Sequence, residues 1–200
     1  MALISSGTTD QSGSEVGQDQ AGRDVIKNTT VNNFFDTTPV GLSTSQVPKL
    51  LQKLATQMAG QTHHDGFIAE LELYVNNRSS QTVVGLEDKL KQVGRHLEYG
   101  DALLKKEAFS KMLLKLQHWE AAQQLFAYFL SMIEVAFKRK IIPHCSSLSQ
   151  AEIEDVIGEH IVDKIKHEIG SGHEEFIISD LHIQGMIFWL ADKCYVRWHQ

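Results

Sequence analysis

Trp119-Glu-Ala-Ala-Gln-Gln-Leu-Phe-Ala-Tyr-Phe-Leu-Ser-Met-Ile-Glu-Val-Ala-Phe137 is the stretch whose reading decides the fold. Trp119, Ala122, Phe126, Phe129, Ile133 and Phe137 recur at three- and four-residue spacing and make one apolar stripe. Leu125, Tyr128, Met132 and Val135 make a second. Only a narrow polar strip is left at Gln123, Gln124, Ser131, Glu134 and Lys138. A helix that is apolar around most of its circumference is surrounded. This one is therefore the central helix of a bundle, or it sits between its own core and a partner subunit. Lys138-Arg139-Lys140 closes it with cations that offset the helix dipole, and Pro143 ends it.

The same period extends in both directions. Val47, Leu50, Leu51, Leu54 and Met58 predict a first helix, with Ser45 as N-cap and Pro48 tolerated in its first turn. Residues 65–76 read as a second helix carrying Phe67, Leu71 and Tyr74. Alternation at Leu71, Leu73 and Val75 also permits a strand. Leu86, Leu90, Val93 and Leu97 predict a third helix stopped by Gly100. Leu104, Phe109, Met112, Leu113 and Leu116 predict a fourth, with Lys105, Lys106, Glu107, Lys111 and Lys115 on a solvated face. Ser149 and Glu152 have the spacing of a capping box. The helix they open carries Ile153, Val156, Ile157, Ile161, Ile165 and Ile169, and Gly170-Ser-Gly172 closes it. Ser179-Asp180 opens the last helix, with Leu181, Ile183, Met186, Ile187 and Leu190. Gly185 inside this apolar helix costs about 1 kcal/mol against Ala, which points to close approach by a neighbouring helix. Cys194-Tyr-Val-Arg-Trp198 has strand character and predicts a short terminal β segment.

The fold class expected is thus all-α. A helical interaction domain of six or seven helices spans residues 46–200, behind a mobile tail (1–20), a Gly-Arg-Asp leader (21–35) and a linker (36–45). The leader's run of Val25, Ile26, Thr29, Thr30 and Val31 favours a β-strand. A lone strand must pair with something: with a second copy, with the domain's own edge, or not at all, in which case it is disordered. Hydrophobic residues at 42% are ordinary for a globular chain, and a net charge of −6 disfavours broad nucleic-acid or acidic-membrane binding. No apolar run is long enough to span a membrane, and the start of the chain lacks a signal-peptide pattern. Two cysteines outside any Cys-x-x-Cys motif fit a reducing, cytoplasmic compartment.

Reactive groups are sparse. His160, Asp163 and His167 share one side of a helix, but the two imidazoles are about 10 Å apart along the axis by helix rise, too far for one ion. His63-His64-Asp65 is a loop triplet whose side chains need not converge. Cys194 has His182 or His199 as candidate bases, and burial as a structural thiol is the plainer reading. Phosphate-loop, dinucleotide, zincin and nucleophile-elbow motifs are absent from the sequence. No metal or other cofactor is expected.

Gly185-Met-Ile-Phe-Trp-Leu190 followed by Cys194-Tyr-Val-Arg-Trp198 resembles the terminal signature of the C-terminal-domain proteins of bacterial ABC-three-component systems. Gly85-Leu-Glu-Asp-Lys-Leu90 resembles that family's Gly-Leu-Glu-x-Lys-Leu. Ala122-Gln123 with Tyr128 resembles its Ala-Gln helix, and Ala21-Gly-Arg-Asp-Val-Ile26 its leader. Ala191-Asp-Lys193 replaces the family's Thr-Gly-Asn turn, so the last helix is expected to run on. Tyr195 replaces the family's His, which removes any Cys–His pairing. The resemblance implies a non-catalytic interaction module in a system that acts in bacterial conflict, against phage or mobile elements. Its implied partners are an ABC-type ATPase, a middle component and an effector. The alternatives are a small metal- or thiol-dependent hydrolase or nuclease using His160, Asp163, His167 or Cys194, and a nucleic-acid sensor using Lys105, Lys111 and Lys115; no direct nucleic-acid partner is expected.

As an interaction module the chain has its interface candidates at Val25, Ile26 and Val31 in the leader. In the helical domain they are Trp119, Phe126, Phe129, Gly185, Met186, Trp189 and Trp198, because aromatic anchors dominate interface energetics. Strand pairing between leaders predicts a homo-oligomer in light scattering of the full chain, and a smaller mass for a chain beginning at Gly41.

Overall fold

The computed structural model describes residues 45–76 and 85–198. The leader residues Val25, Ile26 and Val31, the linker up to residue 44, and His199 lie outside them. The described chain is helical, and it contains no paired strand beyond an isolated bridge between His173 and Phe176.

Helices α1 (Val47–Ala59) and α2 (Ala69–Val75) pack on α5 (Glu120–Ala136). Helix α3 (Leu86–Gln92) leads through a short 3₁₀ turn into α4 (Tyr99–Leu116), whose main neighbour is α8 (Asp180–Asp192). Helices α6 (Gln150–Ile157) and α7 (Asp163–Ile169) are joined without a break by a π turn, Gly158–Val162, so the eight labels correspond to seven helical rods among the described residues. Helix α5 is the hub, in contact with α1, α2, α4, α8 and the α6–α7 rod. Leu125, Phe126, Phe129, Leu130, Ile133 and Phe137 are all fully buried.

Gln123, Ser131 and Glu134 of the polar strip on α5 are buried. Gln123 is buried: its Oε1 accepts from the Ile68 N–H at 2.6 Å, and its Nε2 donates to the carbonyls of Gly66 (2.8 Å) and Gln117 (2.5 Å). Glu134 accepts from the Tyr74 hydroxyl at 3.1 Å and from Lys138 at 2.6 Å. Burial pushes the Tyr74 phenol above its ordinary range, and the Glu134 charge adds to the effect. These contacts join α2 and the loop before it to the central helix through groups that must be satisfied once buried.

The π turn answers a problem of period. Ile153, Ile157, Ile161, Ile165 and Ile169 repeat every four residues, and each step overshoots a 3.6-residue helix by about 40°. One wider turn at Gly158–Val162 takes up that drift, and all five isoleucines stay buried. The capping box at Ser149 and Glu152 forms in both directions. At the start of α8 the Ser179 N–H points at His182 Nδ1 (3.3 Å) and the hydroxyl lies 2.9 Å from the same nitrogen, a box with imidazole in place of carboxylate.

Several expectations need correction. Helix α3 stops at Val93, because Gly94 takes φ +74 and lets Arg95 N–H reach Leu90 O (2.8 Å) and Gly94 N–H reach Lys91 O (3.1 Å). This is a Schellman closure. Gly100 lies inside α4, and Leu97 is 88% exposed. Lys105 and Lys106 are half-buried at the α4–α8 seam, not on a solvated face. The last segment, 194–198, packs on the core without forming a strand.

Gly185 sits where α8 meets α4. A Cβ there would fall 2.2 Å from the Lys105 carbonyl oxygen and 2.9 Å from the Phe109 Cβ. Gly185→Ala gains about 1 kcal/mol of helix propensity, but a clash with backbone cannot be relieved by a rotamer, and overpacking costs about 1–3 kcal/mol or more. We expect net destabilisation in urea melts, with Gly158→Ala, which has open space around it, as the neutral or stabilising control.

Candidate functional site

Helix α8 ends in the same way as α3, but without glycine. Lys193 is the C-cap, and Cys194 follows at φ +67. The Cys194 N–H donates to Ala191 O (3.1 Å) and the Tyr195 N–H to Leu190 O (2.8 Å), again the Schellman pattern. Helix C-termini leave carbonyls without intrahelical partners, and here a side chain from α3 supplies one. Lys89 is completely buried, and its Nζ donates to Ala191 O at 2.5 Å and to Val196 O at 3.4 Å. Burial pulls the Lys89 amine below its ordinary range, and the Cys194 and Asp192 side chains oppose that shift.

Asp192 completes the junction. Its Oδ1 accepts from the Leu86 N–H at 3.2 Å, the first residue of α3, and its Oδ2 meets Lys106 of α4 at 3.0 Å. The Tyr195 hydroxyl donates to Leu73 O and, at 3.2 Å, to Asn76 O. Its ring lies 4.9 Å from that of Tyr74. The end of the chain is thus bolted to α2, α3 and α4 by polar contacts.

Beside this junction lies a cleft of about 210 Å³, walled by α4, α6 and α8. Arg95 forms its inner edge. The guanidinium is 8% exposed and binds both oxygens of Glu98 (2.6–3.0 Å) and Glu154 Oε1 (2.5 Å). It also lies over the Trp198 ring at 5.6 Å. Burial works against its charge, but the two carboxylates outweigh burial and hold it above the usual arginine range. Arg95 in turn holds the Glu98 carboxyl below its usual range. Lys105 stands over Phe188 at 5.9 Å and pairs with Asp101 at 2.5 Å. The Trp198 indole N–H is buried and finds no partner among the described residues.

The model of C-terminal domain 9 of the ABC-three component (ABC-3C) systems matches residues 85–198. The chain belongs to this family. It is a component of such a system, and the family implies operon partners. No curated protein and no solved structure matches the chain. The matched span opens at Gly85, which carries φ +86 ahead of α3, and closes at Trp198. The junction around Lys89 is therefore where the two ends of the CTD9 domain meet. Helices α1 and α2 lie outside the match and cover α5.

The CTD9 domain absorbs most of the interface candidates. Phe126, Phe129 and Met186 are fully buried, and Trp189 and Trp198 are 7% and 3% exposed. Phe109 stacks edge-on against both Phe126 and Trp189 (5.7 Å each), and Phe137 against Trp198 (5.8 Å). With Gly185 locked against α4, these six are core positions covered by their own chain rather than docking surface. Trp119 alone among the helical candidates is partly exposed, with the His63 ring 4.6 Å from it. Among the described residues no group of three or more His, Cys, Asp and Glu side chains could hold a metal. His160 Nε2 lies 4.0 Å from Glu159 Oε1. Cys194 and His182 stand at opposite ends of α8 and are not brought together.

Sequence reasoning assigned no role to Lys89, Arg95, Asp192 or Phe176. A lysine in a charged helix reads as solvated, and only the family motif marked position 89. Phe176, fully buried against Phe126 at 5.3 Å, sits in a loop with no periodicity to announce it.

The acceptors that Lys89 serves are backbone carbonyls, which no substitution removes. Lys89→Met keeps the length and leaves Ala191 O and Val196 O buried without this donor, so we expect a loss of about 1–3 kcal/mol in chemical denaturation. Lys91→Met, in an exposed pair with Glu87, is expected to stay within about 0.5 kcal/mol.

Proposed function

We propose that the protein is a cytoplasmic, non-catalytic assembly subunit of an ABC ATPase-linked conflict system, self-associating through its leader and docking the ATPase or the middle component through its CTD9 domain. One observation carries this reading: the polar side chains gathered around the end of α8 and the cleft beside it are used as internal ties. Lys89 and Asp192 hold the chain end, Tyr195 holds α2, and Arg95 is saturated by Glu98 and Glu154. A catalytic group must be able to touch a substrate, and these groups touch their own chain.

The domain also presents large apolar side chains outward. Leu97 and Leu104 are 88% and 67% exposed on the α4 segment, and Ile177 and Leu181 are 70% and 46% exposed at the approach to α8. Exposed side chains of this size on and beside α4 and α8 support a docking role. Action against phage or mobile elements belongs to this reading as the purpose of the assembled system.

The test is co-expression with the ABC-type ATPase and the middle component of the same operon, followed by co-purification. We expect wild type to retain one of them. Leu104→Asp with Leu181→Asp is expected to reduce retention at least about tenfold, since aspartate on an apolar contact leaves a desolvated charge, with helicity and melting unchanged. Undiminished retention by the double variant would move the docking surface elsewhere. Failure of wild type to retain either protein would count against the assembly role itself.

A further inference from the structure

The charges around the Arg95 cleft are matched by their neighbours, but those around a second groove are not. This groove, of about 320 Å³, lies between α4 and the loop that leads into α8. Ala108, Lys111, Met112 and Lys115 line it from α4, at the i, i+3, i+4, i+7 spacing that shares one face of a helix. The loop contributes Glu174, Glu175 and Ile177, and α8 contributes His182. Phe176, fully buried against Phe126, pins the loop and so fixes the wall that carries the two glutamates. Lys111 reaches Glu107 of its own helix at 3.8 Å, with both side chains exposed, and a pair of that kind contributes little. No ion pair crosses the groove among the described residues.

Between the charged rims the surface is apolar, with Met112 half-buried and Ile177 70% exposed. At the α8 end the Ser179 N–H donates to His182 Nδ1 at 3.3 Å, which leaves Nε2 to carry the ring proton. Burial pulls this imidazole below its ordinary range, so it is a neutral donor rather than a third cation. We propose that the groove seats a segment of a partner protein that carries a large apolar side chain between a carboxylate, set against Lys111 and Lys115, and a cation, set against Glu174 and Glu175. This gives the chemistry of the partner in the docking role proposed above and rests on that reading. Charge complementarity selects the occupant. A polyanion such as nucleic acid would lie against the glutamates, and a wholly basic segment against the lysines. A wholly apolar one would cover charges without replacing their water. Two copies of the groove face to face would match their charges but leave both hollows unfilled, whereas a projecting segment fills one.

The experiment is co-expression with the ABC-type ATPase and the middle component of the same operon, with co-purification over a range of salt and carbodiimide cross-linking of the retained complex. Retention by wild type is expected to fall as salt rises. We expect Lys111→Glu with Lys115→Glu, and separately Glu174→Lys with Glu175→Lys, to reduce retention about tenfold or more, with melting unchanged. Lys49→Glu with Lys164→Glu changes the net charge as much as the first pair, at exposed positions outside the groove, and is expected to retain the partner. Carbodiimide joins an amine to a carboxylate with loss of water. Mass spectrometry is expected to find Lys111 or Lys115 joined to an aspartate or glutamate of the partner. A retained partner that is indifferent to either reversal, or joined only outside the groove, would overturn this proposal and leave the docking role standing. Lys111 or Lys115 joined to a second copy of the chain would overturn it in favour of self-association. Wild type that retains neither protein would overturn both readings together.

Discussion

The close approach of α8 to α4 at Gly185 is the constraint on which the rest of this structure depends. No side chain fits between the Gly185 backbone and the Lys105 carbonyl, so the two helix axes are drawn together and Phe109 can meet Trp189 edge to face. That pairing sets where α8 ends. With α8 in this register, Asp192 arrives at both the start of α3 and Lys106, and the Ala191 carbonyl of its last turn arrives at Lys89. A glycine that weakens the helix locally is thus repaid by tertiary contacts that a longer side chain would prevent.

Ending a helix inside a protein raises a second problem, the fate of its last carbonyls. Helices α3 and α8 solve it with the same backbone turn but different residues, Gly94 in one and Cys194 in the other. A non-glycine residue in the left-handed region carries a conformational cost of about 1–2 kcal/mol. At Cys194 that cost is offset by burial of the thiol and by the Lys89 ammonium, which binds the carbonyls on either side of the turn. The turn also directs Tyr195 toward α2, where its hydroxyl donates to the carbonyls of Leu73 and Asn76.

The cleft beside Arg95 follows from the same geometry. Trp198 can lie under the guanidinium only because the chain turns back at Cys194, and Glu154 can reach it only because α6 runs alongside. Its charged groups neutralise one another. The cleft thus has the character of a structural seam, whereas the exposed leucines of α4 and the approach to α8 form the more available surface.

What the sequence by itself determined is the set of helices and the identity of the hub. The double apolar stripe of α5, the four-residue isoleucine repeat, the Ser149–Glu152 box and Gly185 each carry a local or periodic signal that survives without a neighbour. The family, too, was legible, because its motifs are contiguous. Only the tertiary structure decided which apolar residues were core, since Phe126, Met186 and Trp198 would read the same beneath a partner as beneath their own chain. It also decided that Gly94 rather than Gly100 stops α3, that Gln123 and Glu134 are buried, and that Lys89 reaches the carbonyls at the end of α8. The physical reason is one of range. Helical period and capping arise from residues three or four positions apart, whereas burial of a charge is tolerable only when its partners, here about a hundred residues along the chain, have been brought to it by the packing of everything between.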